Sequence, residues 1–148
     1  MHNTVSFAKE NQSQIWSSFR IAKKASVKII EDTAYKLIAE VKWYNGIIHK
    51  RSFTLLNDLL IIVDSVNNLP NKKELPKSNF HFDHVLNDIV HLNNNEVQIN
   101  ELQIQFNNQQ QIAQENYLQA LDFNKQSQAV KISAYFTVDL KTVISWKL

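Results

Sequence analysis

Apolar and polar side chains alternate with a period of two through much of this chain, the pattern of strands with one buried face. From Tyr35 to Trp43 the odd positions Tyr35, Leu37, Ala39, Val41 and Trp43 are apolar, with Lys36, Glu40 and Lys42 between them, which predicts a half-buried strand. Tyr44-Asn45-Gly46 supplies a hairpin turn, since Asn-Gly accepts the positive φ angles of a type I′ connection, and Ile47 to Leu56 runs back as the partner. Asn57-Asp58 makes a second two-residue break. The continuous apolar run Leu59 to Val63 then suits a strand covered on both faces, so that three strands form a meander. Asn67 to Ser78 holds both prolines, Pro70 and Pro76, among Asn and Lys, and reads as an exposed loop.

Further along, Val97 and Ile99 alternate with Gln98, and Leu102, Ile104 and Phe106 alternate with Gln103 and Gln105, across a break at Asn100-Glu101. That predicts another hairpin. Val130, Ile132, Ala134 and Phe136, answered after Asp139 to Lys141 by Ile144, Trp146 and Leu148, predict a closing strand pair. Gln111 to Leu121 fits two patterns, because Ile112, Ala113, Tyr117, Ala120 and Leu121 would also line one face of a helix; strand is the assignment made. Many short antiparallel strands imply an all-β fold, an antiparallel β-sandwich, with residues 1–148 as a single domain. Gly46 is the single glycine, so left-handed turn positions fall to asparagine, whose short side chain tolerates them.

Composition narrows the function classes. At 148 residues the chain is long enough to bury a core without disulfides, and it has no cysteine to form one or to act as a thiol nucleophile. Sixteen Lys and Arg against fourteen Asp and Glu leave a net charge of +2, far from the concentrated basic patch of a nucleic-acid binder, so no nucleic acid is expected as a partner. No apolar run approaches the roughly 20 residues of a membrane span, and Met1 is followed by polar His2, Asn3 and Thr4 rather than a signal-peptide core. No membrane insertion is therefore expected.

Side-chain chemistry is sparse. His81-Phe82-Asp83-His84, with Asp88 and His91 nearby, offers ligands of the kind that hold zinc. On a strand, however, His81 and Asp83 share one face and His84 the other, which favours Phe80 and Phe82 facing the core with polar residues outside. His49, beside Lys50 and Arg51, reads as a strand surface residue, no carboxylate being placed next to it in sequence. Arg20, Lys23 and Lys24 read as a solvated face. No nucleophile elbow, phosphate loop or paired-carboxylate motif appears.

The opening His2-Asn3-Thr4-Val5, followed by Gln12, Trp16 and Phe19-Arg20, resembles a signature of the heparinase II/III family of polysaccharide lyases. Later segments fall in the family's order: His49-Lys50-Arg51 with Phe53, Leu60 to Asp64, Phe80-His81-Phe82, Leu121-Asp122-Phe123-Asn124 and Thr142-Val143-Ile144. Ser17-Ser18 and Asn124 stand where the family has glycines. What the chain resembles is the C-terminal β-sandwich, which in the family follows a large α-helical toroid domain, absent here and expected as a partner. The resemblance implies β-elimination on an acidic polysaccharide by the complete protein. Its Tyr and His catalytic groups lie mostly on the helical domain, so no catalytic residue is expected in this chain and none is assigned.

By the same motif match His2 would be a zinc ligand, but its partners would lie upstream, so no tightly bound zinc is expected here. Three functional readings follow. The chain is the C-terminal domain of such a lyase, or a non-catalytic glycan-binding sandwich using Trp16, Trp43 or Tyr135, or an assembly module forming a homo-oligomer through an exposed apolar face. Burial in the core is the expected fate of those aromatics. A degradative lyase of this kind would be periplasmic or secreted; no signal peptide is expected within the chain itself, and no compartment is assigned to it.

Overall fold

The computed structural model describes residues 3–16, 20–71, 73–83, 89–122 and 125–146. Their strands, in chain order, are β1 (Val5–Ser6), β2 (Gln14–Trp16), β3 (Arg20–Lys23), β4 (Ser26–Asp32), β5 (Lys36–Lys42), β6 (Ile48–Leu56), β7 (Leu59–Asn67), β8 (Lys77–Asp83), β9 (Ile89–Asn93), β10 (Glu96–Ile99), β11 (Leu102–Asp122) and β12 (Lys125–Trp146). No helix occurs among the described residues, and every pairing is antiparallel. The main sheet runs β4-β5-β6-β7-β12-β11-β10-β9, with β8 also on β12 and β1 on β8; β2 and β3 form a separate hairpin.

The long ribbon of β11 and β12 makes the two layers. One end of β12, Asp139 to Ser145, pairs with β7; the other, Ala129 to Tyr135, pairs with β8. Phe80 lies opposite Ile132 of β12, and Phe106 of β11 opposite Thr142. Ten residues of straight strand would hold those positions about 33 Å apart. Their ring centroids are instead 5.7 Å apart, edge to face, so the ribbon folds back and stacks the β8 arm on the β7 arm. The bend coincides with register shifts between Asn107, Gln109 and Gln111, where Asn108 takes φ 69 and Val138 opposite is 61% exposed. Between the arms lie Ile62, Val66, Val97, Ile99, Ile104, Ile132, Ala134, Phe136 and Leu140, all buried. This is the all-β sandwich expected from the alternation.

Several local expectations are corrected. Asp139 to Lys141 is not a hairpin: β12 continues through it as one strand, and the inward phase of Ile132, Ala134 and Phe136, interrupted at exposed Val138 where the ribbon bends, resumes at Leu140 and Thr142. The Asn45-Gly46 turn is a three-residue loop rather than a type I′ pair. Trp43 N donates to Ile47 O at 2.8 Å and Gly46 N to Trp43 O at 3.1 Å, with only Gly46 at positive φ (+90), so the turn closes on a glycine bulge. Tyr35 precedes β5 in a turn held by Thr33 N donating to Lys36 O, and is 71% exposed rather than half-buried.

The loop after β7 also ends earlier than the spacing suggests, since Pro76 is buried and Ser78 is already on β8. On β7, Ile62, Asp64 and Val66 are buried and the opposite face only half-buried, so cover is complete on one side alone. Gln111 to Leu121 is strand, within β11. Asparagine supplies Asn68, Asn100 and Asn108 of the four non-glycine positive-φ residues among the described ones, Ala8 being the fourth.

Candidate functional site

Asp64 lies in the middle of apolar β7, fully buried on the inward face between Ile62 and Val66. A carboxylate there has to be matched by donors, and β6 supplies them: Arg51 stands directly opposite Asp64, and His49 opposite Val66. Arg51 donates from Nε to Asp64 Oδ1 at 2.6 Å and from Nη2 to Oδ2 at 2.9 Å, a two-pronged charge-assisted pairing. Ser78 of β8 donates its hydroxyl to Oδ2 at 2.8 Å and accepts from Arg51 Nη2 at 3.0 Å. His49 Nε2 lies 2.7 Å from Oδ1. Because an ionised carboxylate only accepts, Nε2 carries the hydrogen, and His49 Nδ1 has no hydrogen-bond partner.

Burial alone would push the Asp64 carboxyl up; hydrogen bonds from His49 and Arg51, with the charge of Arg51 and then of His49, outweigh it and hold the carboxyl below its ordinary value. His49 is thus 3% exposed and partnered, not the surface residue expected. The carboxylate that orients it is fifteen positions away in sequence and one strand away in space.

The cluster also grips the start of the chain. Arg51 Nη1 donates to the backbone O of Asn3 at 2.5 Å, and the backbone N of His81 donates to Asn3 Oδ1 at 2.8 Å. The Asn79 amide donates to Thr4 O at 3.1 Å and Ser6 Oγ at 2.9 Å, while its Oδ1 accepts from Ser133 Oγ at 2.9 Å. Asp64, Arg51 and Ser78 therefore fasten β7 to β8, and Asn79 completes the hold on Asn3 to Ser6. Ser, His and Asp are all present, yet they do not form a nucleophilic triad. Ser78 bonds the carboxylate rather than the imidazole, and Arg51, the most exposed member, is 8% exposed. The cluster is a fastening, with no route for substrate.

Reactive groups reach solvent on the other face of β8. The registers Lys77 with Tyr135, His81 with Lys131, and Lys131 with Glu115 place Lys77, His81, Lys131, Glu115, Tyr117 and Tyr135 together across β8, β12 and β11. Lys77 Nζ sits 5.6 Å from the Tyr135 ring centroid. Tyr117 OH lies 3.0 Å from His81 Nδ1, the two rings edge to face at 5.4 Å, and donates to Gln119 Oε1 at 3.3 Å. Lys131 pairs with Glu115 at 2.6 Å. That hydrogen bond and the charge of Lys131, joined by Lys77 and His81, hold Glu115 below the ordinary carboxylate value. The result is a face with three nitrogen bases and two tyrosines around one carboxylate.

The other sequence candidates distribute as follows. Phe80 is in the core and Phe82 packs against it, leaving His81 on the outer face as expected. His2, His84 and Asp88 lie outside the described residues, as does the structure of any zinc site at His2. Among the described residues no three His, Cys, Asp or Glu side chains gather as metal ligands, so these residues do not by themselves fit a zinc ion. Trp43 is 2% exposed in the core and its Nε1 has no hydrogen-bond partner. Tyr135 is half-buried on the cationic face, and Arg20 to Lys23 are exposed.

The family described as "Heparinase II/III-like, C-terminal" matches residues 1–147. The chain belongs to this family. Two solved structures share its fold. "Crystal Structure of Heparinase III" superposes with a TM-score of 0.69 at 17% identity over 98% of this chain and 23% of its own. Heparan sulfate lyase HepC from Pedobacter heparinus gives 0.71 at 16% identity over 97% of this chain and 24% of its own. The chain thus spans about a quarter of the length of these heparinase structures. No curated protein sequence matches it. Within the family match, His49, Arg51 and Asp64 are buried side chains that tie strands together, and the open chemistry belongs to Lys77, Lys131, His81 and Tyr117.

Proposed function

We propose that residues 1–148 act as one domain, the C-terminal sandwich of a heparinase II/III-like polysaccharide lyase, and that they present a wall to an acidic polysaccharide without carrying out β-elimination alone. The observation that carries this reading is the outer face of β8, β12 and β11, where Lys77, Lys131 and His81 stand beside Tyr117 and Tyr135. Ammonium groups meet carboxylates and sulfates, and tyrosine rings offer flat apolar surface to pyranose C–H groups. Elimination also needs a group that neutralises the uronate, a base for the C5 proton and an acid at the leaving oxygen. The partner domain of the family supplies most of these.

Two readouts on the purified chain test this. Calorimetry with heparan sulfate oligosaccharides should show salt-dependent binding, weakened about tenfold, or about 1.4 kcal/mol, in the Lys77→Gln/Lys131→Gln double variant. Ultraviolet absorbance of unsaturated product should not rise. Turnover would refute the non-catalytic reading, and binding indifferent to salt and to both substitutions would refute the role of this face. Self-association is a second reading, supported by edge strand β4, where Val27 and Ile29 are 68% and 61% exposed; sedimentation of the chain reads it directly.

A further inference from the structure

The cationic face on β8, β12 and β11 carries an anion of its own. Glu115 of β11, Lys131 of β12 and His81 of β8 stand opposite one another across three adjacent strands, and Lys77 stands opposite Tyr135 further along the same face. Lys131 Nζ meets Glu115 Oε2 at 2.6 Å, and Lys131 is the one ion-pair partner of Glu115 among the described residues. Its hydrogen bond and charge, and then the charges of Lys77 and His81, hold the Glu115 carboxyl below its ordinary value. Three nitrogen groups thus act on one carboxylate. Asp83 shares the face by register, opposite Ala129.

The two members of the pair differ in exposure. The Glu115 side chain is 61% exposed and that of Lys131 19%, so the carboxylate is open to solvent and the ammonium is mostly enclosed. A ligand therefore gains most at Lys131 by taking the place of the carboxylate rather than by adding beside it. A carboxylate or sulfate on a sugar presents equivalent oxygens and makes the same charge-assisted hydrogen bond; a neutral hydroxyl cannot match it. The exchange costs the fold little, because an exposed ion pair contributes little to stability.

We propose that Glu115 is a built-in competitor: its carboxylate occupies the anion subsite at Lys131, and an acid group of the polysaccharide displaces it on binding. The inference rests on the reading of this face as the polysaccharide wall and adds the residue that opposes the ligand there, a repulsive element that neutral sugars cannot overcome.

Calorimetry of the full chain with a heparan sulfate oligosaccharide compares wild type with Glu115→Gln and with Glu101→Gln, which removes an exposed carboxylate between β10 and β11, outside this face. Glu115→Gln should bind about threefold tighter, with a steeper salt dependence, and Glu101→Gln should match wild type. In ¹³C spectra of the wild type, the Glu115 carboxyl signal should move toward that of a solvated glutamate as oligosaccharide is added. Unchanged or weaker binding by Glu115→Gln overturns the proposal. So does equal tightening by Glu101→Gln, which would mean a bulk charge effect, or a Glu115 signal that stays in place while Lys131 responds, which would mean that the ligand adds beside the pair. If Lys77→Gln/Lys131→Gln still weakens binding in those cases, the reading of the face stands and only the competitor role falls. If neither wild type nor Glu115→Gln binds, both fall.

Discussion

Replacing Asp64 by asparagine is expected to destabilise the fold by about 3–5 kcal/mol, the range seen when one partner of a buried ion pair is removed. The side chain hardly changes size, so packing is not the cause. Arg51 would keep its charge, nearly buried, facing an amide that offers one acceptor oxygen where the carboxylate offered two. The pH dependence follows in sign. The Asp64 carboxyl is held below the ordinary value of 3.8, so its contribution is fully present above that value and is lost as pH falls below it toward the folded-state value. Urea unfolding followed from pH 7 down through that window should show the wild type losing stability more steeply than Asp64→Asn. Equal acid slopes would mean that the carboxylate is not held by the cluster.

The second large effect is expected at Phe106. Its ring is fully buried and meets Phe80 across the fold of the ribbon, so Phe106→Ala should cost about 3–5 kcal/mol and lower the midpoint of denaturant unfolding with an unchanged slope. The change opens a cavity between the two arms rather than within one sheet. An exposed residue of the same strand, Gln105, offers the contrast: Gln105→Ala should stay within about 0.5 kcal/mol of wild type. Similar losses at both positions would argue against stacked arms.

Where a single period carried the structure, the sequence was readable. Val97 and Ile99 against Ile104 and Phe106 around Asn100-Glu101 define a hairpin, because a one-residue slip would turn all four buried side chains to water. Asp139 to Lys141 misled because two charged residues imitate a turn, although none of the three is Gly, Pro or Asn and the inward phase of Ile132 to Phe136 resumes at Leu140 and Thr142 beyond exposed Val138. The buried cluster did leave one trace: Asp64 interrupts an apolar strand at an inward position, and His49 and Arg51 occupy same-face positions on the preceding strand.

Reading that trace required the β6–β7 register, which places residues thirteen apart opposite each other. The cationic face was hidden for the same reason. Lys77 and His81 come from β8, Lys131 and Tyr135 from β12, and Glu115 and Tyr117 from β11, and only strand order brings them together. The family resemblance, by contrast, rested on contiguous motifs and covered the residues that the family match covers.

Asp64 and Arg51 act as a coupled pair that fastens the two arms and the Asn3 to Ser6 segment. A double-mutant cycle with Arg51→Met, Asp64→Leu and both together, read by urea unfolding at neutral pH, measures that coupling directly. The double variant should be more stable than the sum of the single losses by about 1–3 kcal/mol, because removing both charges leaves no buried charge unpaired. Additivity to within about 0.5 kcal/mol would contradict it.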